Sequence, residues 1–449
     1  MVPQKRVIEE SSFRDPSGFV FLADGKIYRQ INKSYLSDYG RLMNSGLYKQ
    51  LVDDSLLIAH KQIATNVLRP ELIPFVSYPY EWSFGQLKAA ALLTLRIQQI
   101  SLDKEMSLKD GSAFNVQFIG SRPVFIDTLS FEKYLPGKPW VAYRQFCQHF
   151  LAPLALASTK DMFFIQLLKN YLQGIPLDIA SGLLPSRTRL NPGLLFHIHL
   201  NAGSSKLIKT PGDEKKISLS KKNLQNLVEN LKKTVERLQP KRRKTTWSDY
   251  YQETNYSKAA LNHKKRLVAR YLKEIGAKTV LDLGANTGEF SRVAADLGAY
   301  TISADYDPAT IEDNYQKTFS SQKILPLVID LLNPTPSLGW ANSERKSFWE
   351  RVKVDAILAL ALIHHLAIAN NLPFEKIAKL FSDKSKYLIV EFIPKSDSQL
   401  RRLLATREDI FSDYSQEYFE KTFSDYFKIL KSDRIGDSER SLYLMINRK

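Results

Sequence analysis

Along the second half of the chain, short apolar runs alternate with amphipathic stretches. TVLDLG (279–284), YTISAD (300–305), ILPLVID (324–330), VDAILAL (354–360) and KYLIVEF (386–392) are nearly continuous apolar, partly β-branched runs. EFSRVAADLG, PATIEDNYQKTF and FEKIAKLFSD lie between them with their apolar residues at helical spacing. Strands without alternation, separated by amphipathic helices, predict a parallel sheet covered on both faces. FKILKS and SLYLMINR close the chain, and the turn-like DRIGDSER between them predicts an antiparallel hairpin on the sheet edge, bringing the strands to seven.

The first 200 residues follow no such rhythm. FVFLADGKIYRQI reads as a hairpin, 84–100 as a helix and 140–172 as apolar helices, together an α+β domain. Between the halves, residues 201–244 change composition: NAGSSKLIKTPGDEKK gives way to a polar helical stretch with Leu224, Leu227, Leu231, Val235 and Leu238 on one face, ending in QPKRRK. The predicted organisation is an N-terminal domain over 1–200, a basic linker with an amphipathic helix over 201–244, and a C-terminal domain over 245–449.

Composition narrows the class. At 449 residues, with 44% hydrophobic and 25% charged positions, the chain excludes disordered and fibrous proteins and suits two or three domains. The net charge of +17 invites a nucleic-acid or anionic-surface partner, but residues 206–244 hold thirteen Lys/Arg against four acids, +9 of that excess. Two readings of this stretch stay open, a solvated linker or a patch for the phosphates of nucleic acid or lipid. The single cysteine, Cys147, forms no internal disulfide and supplies no Cys-based zinc site, which suits a reducing compartment. The longest apolar runs fall short of the ~20 residues of a membrane span. MVPQKRVIEE has no apolar stretch behind its basic residues, so the expectation is a cytoplasmic protein without a secretory signal.

The sharpest chemical signal is Asp282-Leu283-Gly284-Ala285-Asn286-Thr287-Gly288-Glu289, a strand running through a glycine-punctuated turn into a helix. Gly284 and Gly288 permit close backbone approach, Asn286 tolerates a left-handed conformation, and the helix start turns N–H groups toward a ligand. Asn286 and Glu289 stand where a dinucleotide fingerprint has its second and third glycines, which argues against NAD. Asp305 ends the second strand, where a carboxylate can accept both hydroxyls of a ribose; Asp307 is its neighbouring competitor.

With ADYDP and ILPLVID behind it, this loop resembles class I S-adenosylmethionine-dependent methyltransferases over residues 245–449. The resemblance implies a Rossmann-like, doubly wound, mostly parallel sheet with an antiparallel terminal hairpin. It also implies S-adenosyl-L-methionine as cofactor, with the loop carrying the methionine moiety, Asp305 the ribose and Asp330 the adenine amine. LALALIHHLAI and IVEFIPKSD are similar to bacterial methyltransferase-like proteins, some labelled nodulation proteins, a label that gives no substrate.

The strand ends that line the crevice of such a sheet carry His364 and His365 after strand four and Glu391 at strand five. In-line methyl transfer needs a base only where the acceptor is protonated at neutral pH, and either histidine could serve. Alternatively one histidine bonds backbone while the other points outward, and Glu391 pairs with Lys395. Trp247, Tyr250, Tyr251 and Tyr256, ahead of the first helix, are rings that could cover a cofactor.

In the N-terminal half, Asp110 precedes Asn115 by five residues, and Asp127 ends a later apolar run. This pattern resembles the catalytic loop and metal-binding aspartate of protein-kinase-like and aminoglycoside-phosphotransferase-like proteins, which implies a Mg-ATP site at these three residues. The chain departs from it: there is no glycine-rich loop, no V-A-I-K lysine (Lys26 and Arg29 being the nearest cations), Leu108-Lys109 stands before the Asp, and Asp127-Thr128-Leu129 replaces D-F-G. These departures argue against active phosphotransfer. The other reading makes this a recognition domain whose Asp110, Asn115 and Asp127 form turns.

The leading expectation is a methyltransferase acting on the O or N of a small molecule or glycan. An RNA methyltransferase using the basic linker and a non-catalytic two-domain binding protein are the alternatives.

Overall fold

The computed structural model describes residues 6–204, 218–242, 257–319, 321–405 and 408–449. The chain forms two compact units, Met1–Arg243 with Thr335–Ser347, and Lys244–Pro334 with Phe348–Lys449.

In the first unit, β1 (Val7–Ile8), β2 (Gly18–Ala23), β3 (Lys26–Ile31), β4 (His60–Ala64) and β5 (Val67–Pro70) form an antiparallel sheet in the order β1-β2-β3-β5-β4. The expected hairpin is β2–β3, turning at Asp24 and Gly25, both left-handed. Beyond it, β6 (Met106–Leu108) pairs with β9 (Phe131–Lys133), and β7 (Val116–Ile119) with β8 (Arg122–Phe125). The helix Phe84–Asp103 runs through the middle of this unit, buried on nearly every side.

The helix within the basic stretch is Lys221–Arg237, and here the linker reading needs correction. Leu224, Val228, Leu231 and Val235 are at most 1% exposed, packed against Phe84–Asp103, so the helix is part of the unit's core. Lys88 Nζ donates to the carbonyls of Glu236 and Leu238 at 2.8 Å, and Gln99 to the Glu229 carboxylate at 3.0 Å, fixing it further. An apolar stripe shows in sequence; the surface that covers it does not. The boundary expected at residue 200 also misses Thr335–Ser347, which leaves the C-terminal half of the sequence to join this first unit.

The second unit is a seven-stranded sheet of β10 (Thr279–Leu283), β11 (Tyr300–Asp305), β12 (Ile324–Val328), β13 (Val354–Ala359), β14 (Ser385–Phe392), β15 (Phe427–Arg434) and β16 (Ser441–Asn447). Their order is β12-β11-β10-β13-β14-β16-β15; the first five are parallel, and β16 runs antiparallel to both β14 and β15. It is Rossmann-like, and the terminal hairpin turns back so that β16 is interior and β15 forms the edge. Burial explains this order: Leu442 to Met445 of β16 are fully buried, whereas β15 alternates exposed and half-buried residues. The strand order reverses at β10 and β13, which opens a crevice at their carboxyl ends.

Candidate functional site

At that crevice lies a cavity of about 400 Å³, within the range of small-molecule sites. Its wall begins with the glycine loop. Gly284 (φ 69°), Asn286 (φ 50°) and Gly288 (φ 77°) are all left-handed, so the turn needs residues that accept this conformation at alternate positions. Gly288 is constrained twice, because a Cβ there would lie 2.3 Å from the Asn314 side-chain oxygen. Asn314 cannot easily withdraw, since its Nδ2 donates to Ser303 Oγ at 2.7 Å. Ser303 Oγ lies 2.7 Å from Ser291 Oγ, and Ser291 donates to Asp282 at 2.6 Å. This buried polar chain fastens the loop's flanking helix to β10 and β11.

Asp282, Gly284, Asn286, Asp305 and Asp330 all line the cavity; Gly288 shapes the loop without lining it. Asp305 accepts from the amides of Asn286 at 2.9 Å and Asp307 at 3.0 Å. Burial nevertheless pushes its carboxyl up to about 6, these amides offsetting only part of the shift. Burial likewise pushes Asp282 up to about 7 against the Ser291 hydrogen bond. Asp307 instead caps the helix Pro308–Lys317 through the Ala309 amide at 2.8 Å, which separates the two candidate acids. Asp330 anchors its own turn, accepting from the Leu332 amide at 2.9 Å.

The two histidines part company. His365 lines the cavity; His364 is buried outside its lining, its Nδ1 without a hydrogen-bond partner. Burial pushes His365 down to about 4 and His364 well below the ordinary range, with neighbouring positive charge adding to the latter, so both imidazoles are neutral at pH 7.

Glu391 is not a crevice acid. It is fully buried, lies outside the cavity lining, and accepts from Lys264 Nζ at 2.6 Å and the Ala361 amide at 2.7 Å. Arg440 stands 3.7 Å away and holds Asp397 through two hydrogen bonds of 2.8 and 3.1 Å. Lys395, the partner considered from sequence, pairs with Asp409 instead. Sequence reasoning missed Lys264, a buried cation that does line the cavity, because NHKKRL gives no sign of which lysine turns inward. The rings at Trp247, Tyr250, Tyr251 and Tyr256 lie outside the described residues.

In the first unit, Asp110, Asn115 and Asp127 come together. Asn115 Nδ2 donates to Ser130 Oγ at 3.2 Å, Ser130 donates to Asp127, and Asn115 also hydrogen-bonds Asp110, which feels the charge of Asp127. Arg29 of β3 pairs with Asp127 at 2.6 Å. The acids also serve as turn formers: Asp110 accepts from the Ser112 amide and Asp127 from the Leu129 amide. Among the described residues no group of three or more His, Cys, Asp or Glu is placed to hold a metal ion.

No model of a known protein family matches the chain. The nodulation protein NoeA of Rhizobium meliloti (strain 1021) is 36% identical over 451 residues, 96% of this chain and 94% of that protein. The chain belongs to the NoeA family. Solved structures similar to this NoeA-family chain include the N-methyltransferase NodS of Bradyrhizobium japonicum WM9 with S-adenosyl-L-homocysteine, 13% identical with a TM-score of 0.34, covering 46% of this chain and 100% of NodS. The magnesium protoporphyrin IX methyltransferase ChlM of Synechocystis PCC 6803 is 16% identical with a TM-score of 0.32, covering 45% of this chain and 92% of ChlM. Among the described residues no helix is long and apolar enough to cross a membrane.

Proposed function

We propose that the C-terminal unit binds S-adenosyl-L-methionine in the 400 Å³ cavity and that the protein is a methyltransferase. The observation that carries this reading is the convergence, at the switch point of the sheet, of a left-handed glycine loop with acids at the ends of strands one, two and three. The donor set suits the cofactor: Asp305 offers acceptors for a ribose diol, Asp330 for an exocyclic amine, and Tyr306 a half-exposed ring beside them. Lys264, whose ammonium is shared with Glu391, places an N–H donor on the wall toward the methionine carboxylate, while Asp282, once ionised, supplies negative potential for the ammonium and sulfonium. The cofactor supplies an electrophilic methyl group.

The chain's own residues bind, orient and exclude water. Leu360, Leu362 and Leu366 make the cavity wall near His365 apolar, which strengthens the electrostatics at the acids. His365, neutral and lining the cavity, is the acceptor-side candidate; its low basicity suits hydrogen-bond positioning of an acceptor better than abstraction of an alcohol proton. His364 is demoted, and Glu391 acts through Lys264 and Ala361 as a positioning residue.

The proposed acceptor is a small molecule or glycan. RNA is the less supported partner: Lys221, Lys232 and Lys233 are each placed near a carboxylate, and most of the remaining basic run falls outside the described residues. In the first unit the Arg29–Asp127 pair occupies the aspartate that would hold Mg²⁺, which favours a recognition role over phosphotransfer. Calorimetric titration of the full chain with S-adenosyl-L-homocysteine tests the cofactor reading, and the Asp305→Ala variant tests the placement.

A further inference from the structure

The first unit holds a cavity of about 590 Å³, built partly from Thr335–Ser347. This segment closes on itself: Leu338 and Arg345 exchange backbone hydrogen bonds of 2.9 and 3.0 Å, and the Asn342 and Ser343 amides bond back to Gly339 and Trp340. Gly339 (φ 86°), Ala341 (φ 51°) and Asn342 (φ 56°) are left-handed, a cost for two residues with a Cβ. The Arg345 guanidinium lies 4.5 Å over Phe114, and Lys346 pairs with Glu9 at 3.0 Å. Glu344, its carboxylate buried, accepts from Arg14 Nε at 3.0 Å and from the Trp340 amide.

What this fixed, strained loop presents is Trp340, 72% exposed on the cavity wall. A large flat ring held in water on a fixed loop is free to stack on a ligand, with its N–H as a polar handle. The same wall carries Gln148, Asn170 and Gln173, whose side-chain amides make no hydrogen bond among the described residues. Each can donate and accept at once. Among the described residues the one cation on the wall is Arg14, and it is committed to Glu344, so the lining is charge-balanced and offers little to a phosphate or another anion.

We propose that this cavity binds a neutral carbohydrate, with the Trp340 indole as the platform for the C–H face of a pyranose ring and the three amides as partners for its hydroxyl or acetamide groups. A flat aromatic face with bifunctional amides matches a ligand that is apolar on its faces and studded with donor–acceptor groups at its rim. The volume, within the roughly 300–1,000 Å³ of small-molecule sites, leaves room for an oligosaccharide. The site is separate from the cofactor cavity, and the proposal does not depend on the methyltransferase reading.

The test is titration of the full chain, without S-adenosylmethionine, with maltotriose, mannotriose and tri-N-acetylchitotriose at millimolar concentration, followed by calorimetry and saturation-transfer NMR. At least one should bind, with little dependence on salt because the ligand is neutral. Trp340→Ala should weaken it by about tenfold or more, as loss of an aromatic anchor does, while Trp340→Phe keeps most of the affinity. Gln173→Ala should weaken it several-fold. Trp340 and Gln173 are exposed, so an unchanged melting temperature in these variants shows that the loss is one of binding. Failure of all three sugars to bind, or equal binding by Trp340→Ala, overturns the proposal.

Discussion

Lys264 Nζ lies 2.6 Å from the Glu391 carboxylate, and the same carboxylate oxygen takes the Ala361 amide at 2.7 Å. One buried acid therefore fixes two parts of the crevice cavity, a cation on the wall and a left-handed residue (φ 49°) at the end of strand four.

Removing that acid should act on both. Glu391→Ala strands the Lys264 ammonium in a buried site and should cost about 3–5 kcal/mol, as breaking one partner of a buried ion pair does. Thermal or denaturant unfolding measures it. Glu391→Gln, which keeps the shape and one acceptor, should recover much of the stability while cofactor affinity stays reduced. Full cofactor affinity in Glu391→Gln would show that the pair does not position the site.

Gly288 and Asn314 form a second dependent pair. Gly288→Ala should destabilise by about 1–3 kcal/mol through its left-handed backbone alone, with the 2.3 Å approach to Asn314 adding to this. Asn314→Ala removes the obstacle, so the double variant should be more stable than the sum of the single losses predicts. Strict additivity would mean that the close approach carries no energetic weight.

Burial of Asp282 and Asp305 gives stability a pH dependence of definite sign. Their folded-state values, about 7 and about 6, lie above the ordinary 3.8, so the folded chain holds protons that the unfolded chain releases. Their contribution is favourable at low pH and is lost as pH rises from about 4 through 7. Asp282→Asn should therefore raise the melting temperature relative to the parent chain more at pH 8 than at pH 5. Cofactor binding should change in the opposite sense, because the ribose hydroxyls need the ionised Asp305: affinity should fall as pH drops below about 6.

Much of the C-terminal architecture was readable from sequence, because β10 to β14 are apolar on both faces and their helices are amphipathic. The loop from Asp282 to Gly288 and the acid at Asp305 were readable because turn geometry demands particular residue types. What the chain concealed was tertiary. Lys264 sits on a helix rich in basic residues and only packing turns it inward, and Glu391 ends a strand as a crevice acid would but finds Lys264 and Arg440 from distant segments. Residues 335–347 carry no composition signal that they join the first unit, and the stripe on Lys221–Arg237 does not say that a buried helix covers it. Asp110, Asn115 and Asp127 are neighbours in the folded chain, yet the Arg29 pairing of Asp127 depends on a strand almost one hundred residues earlier.

Calorimetric titration of the full chain with S-adenosyl-L-methionine, alongside Asp305→Ala, decides whether the crevice holds this cofactor. The expected result is saturable one-to-one binding by the parent chain and loss of that binding in the variant, whose fold is checked by its melting profile. No heat from the parent chain at concentrations where methyltransferases saturate, or undiminished binding by Asp305→Ala, would contradict it.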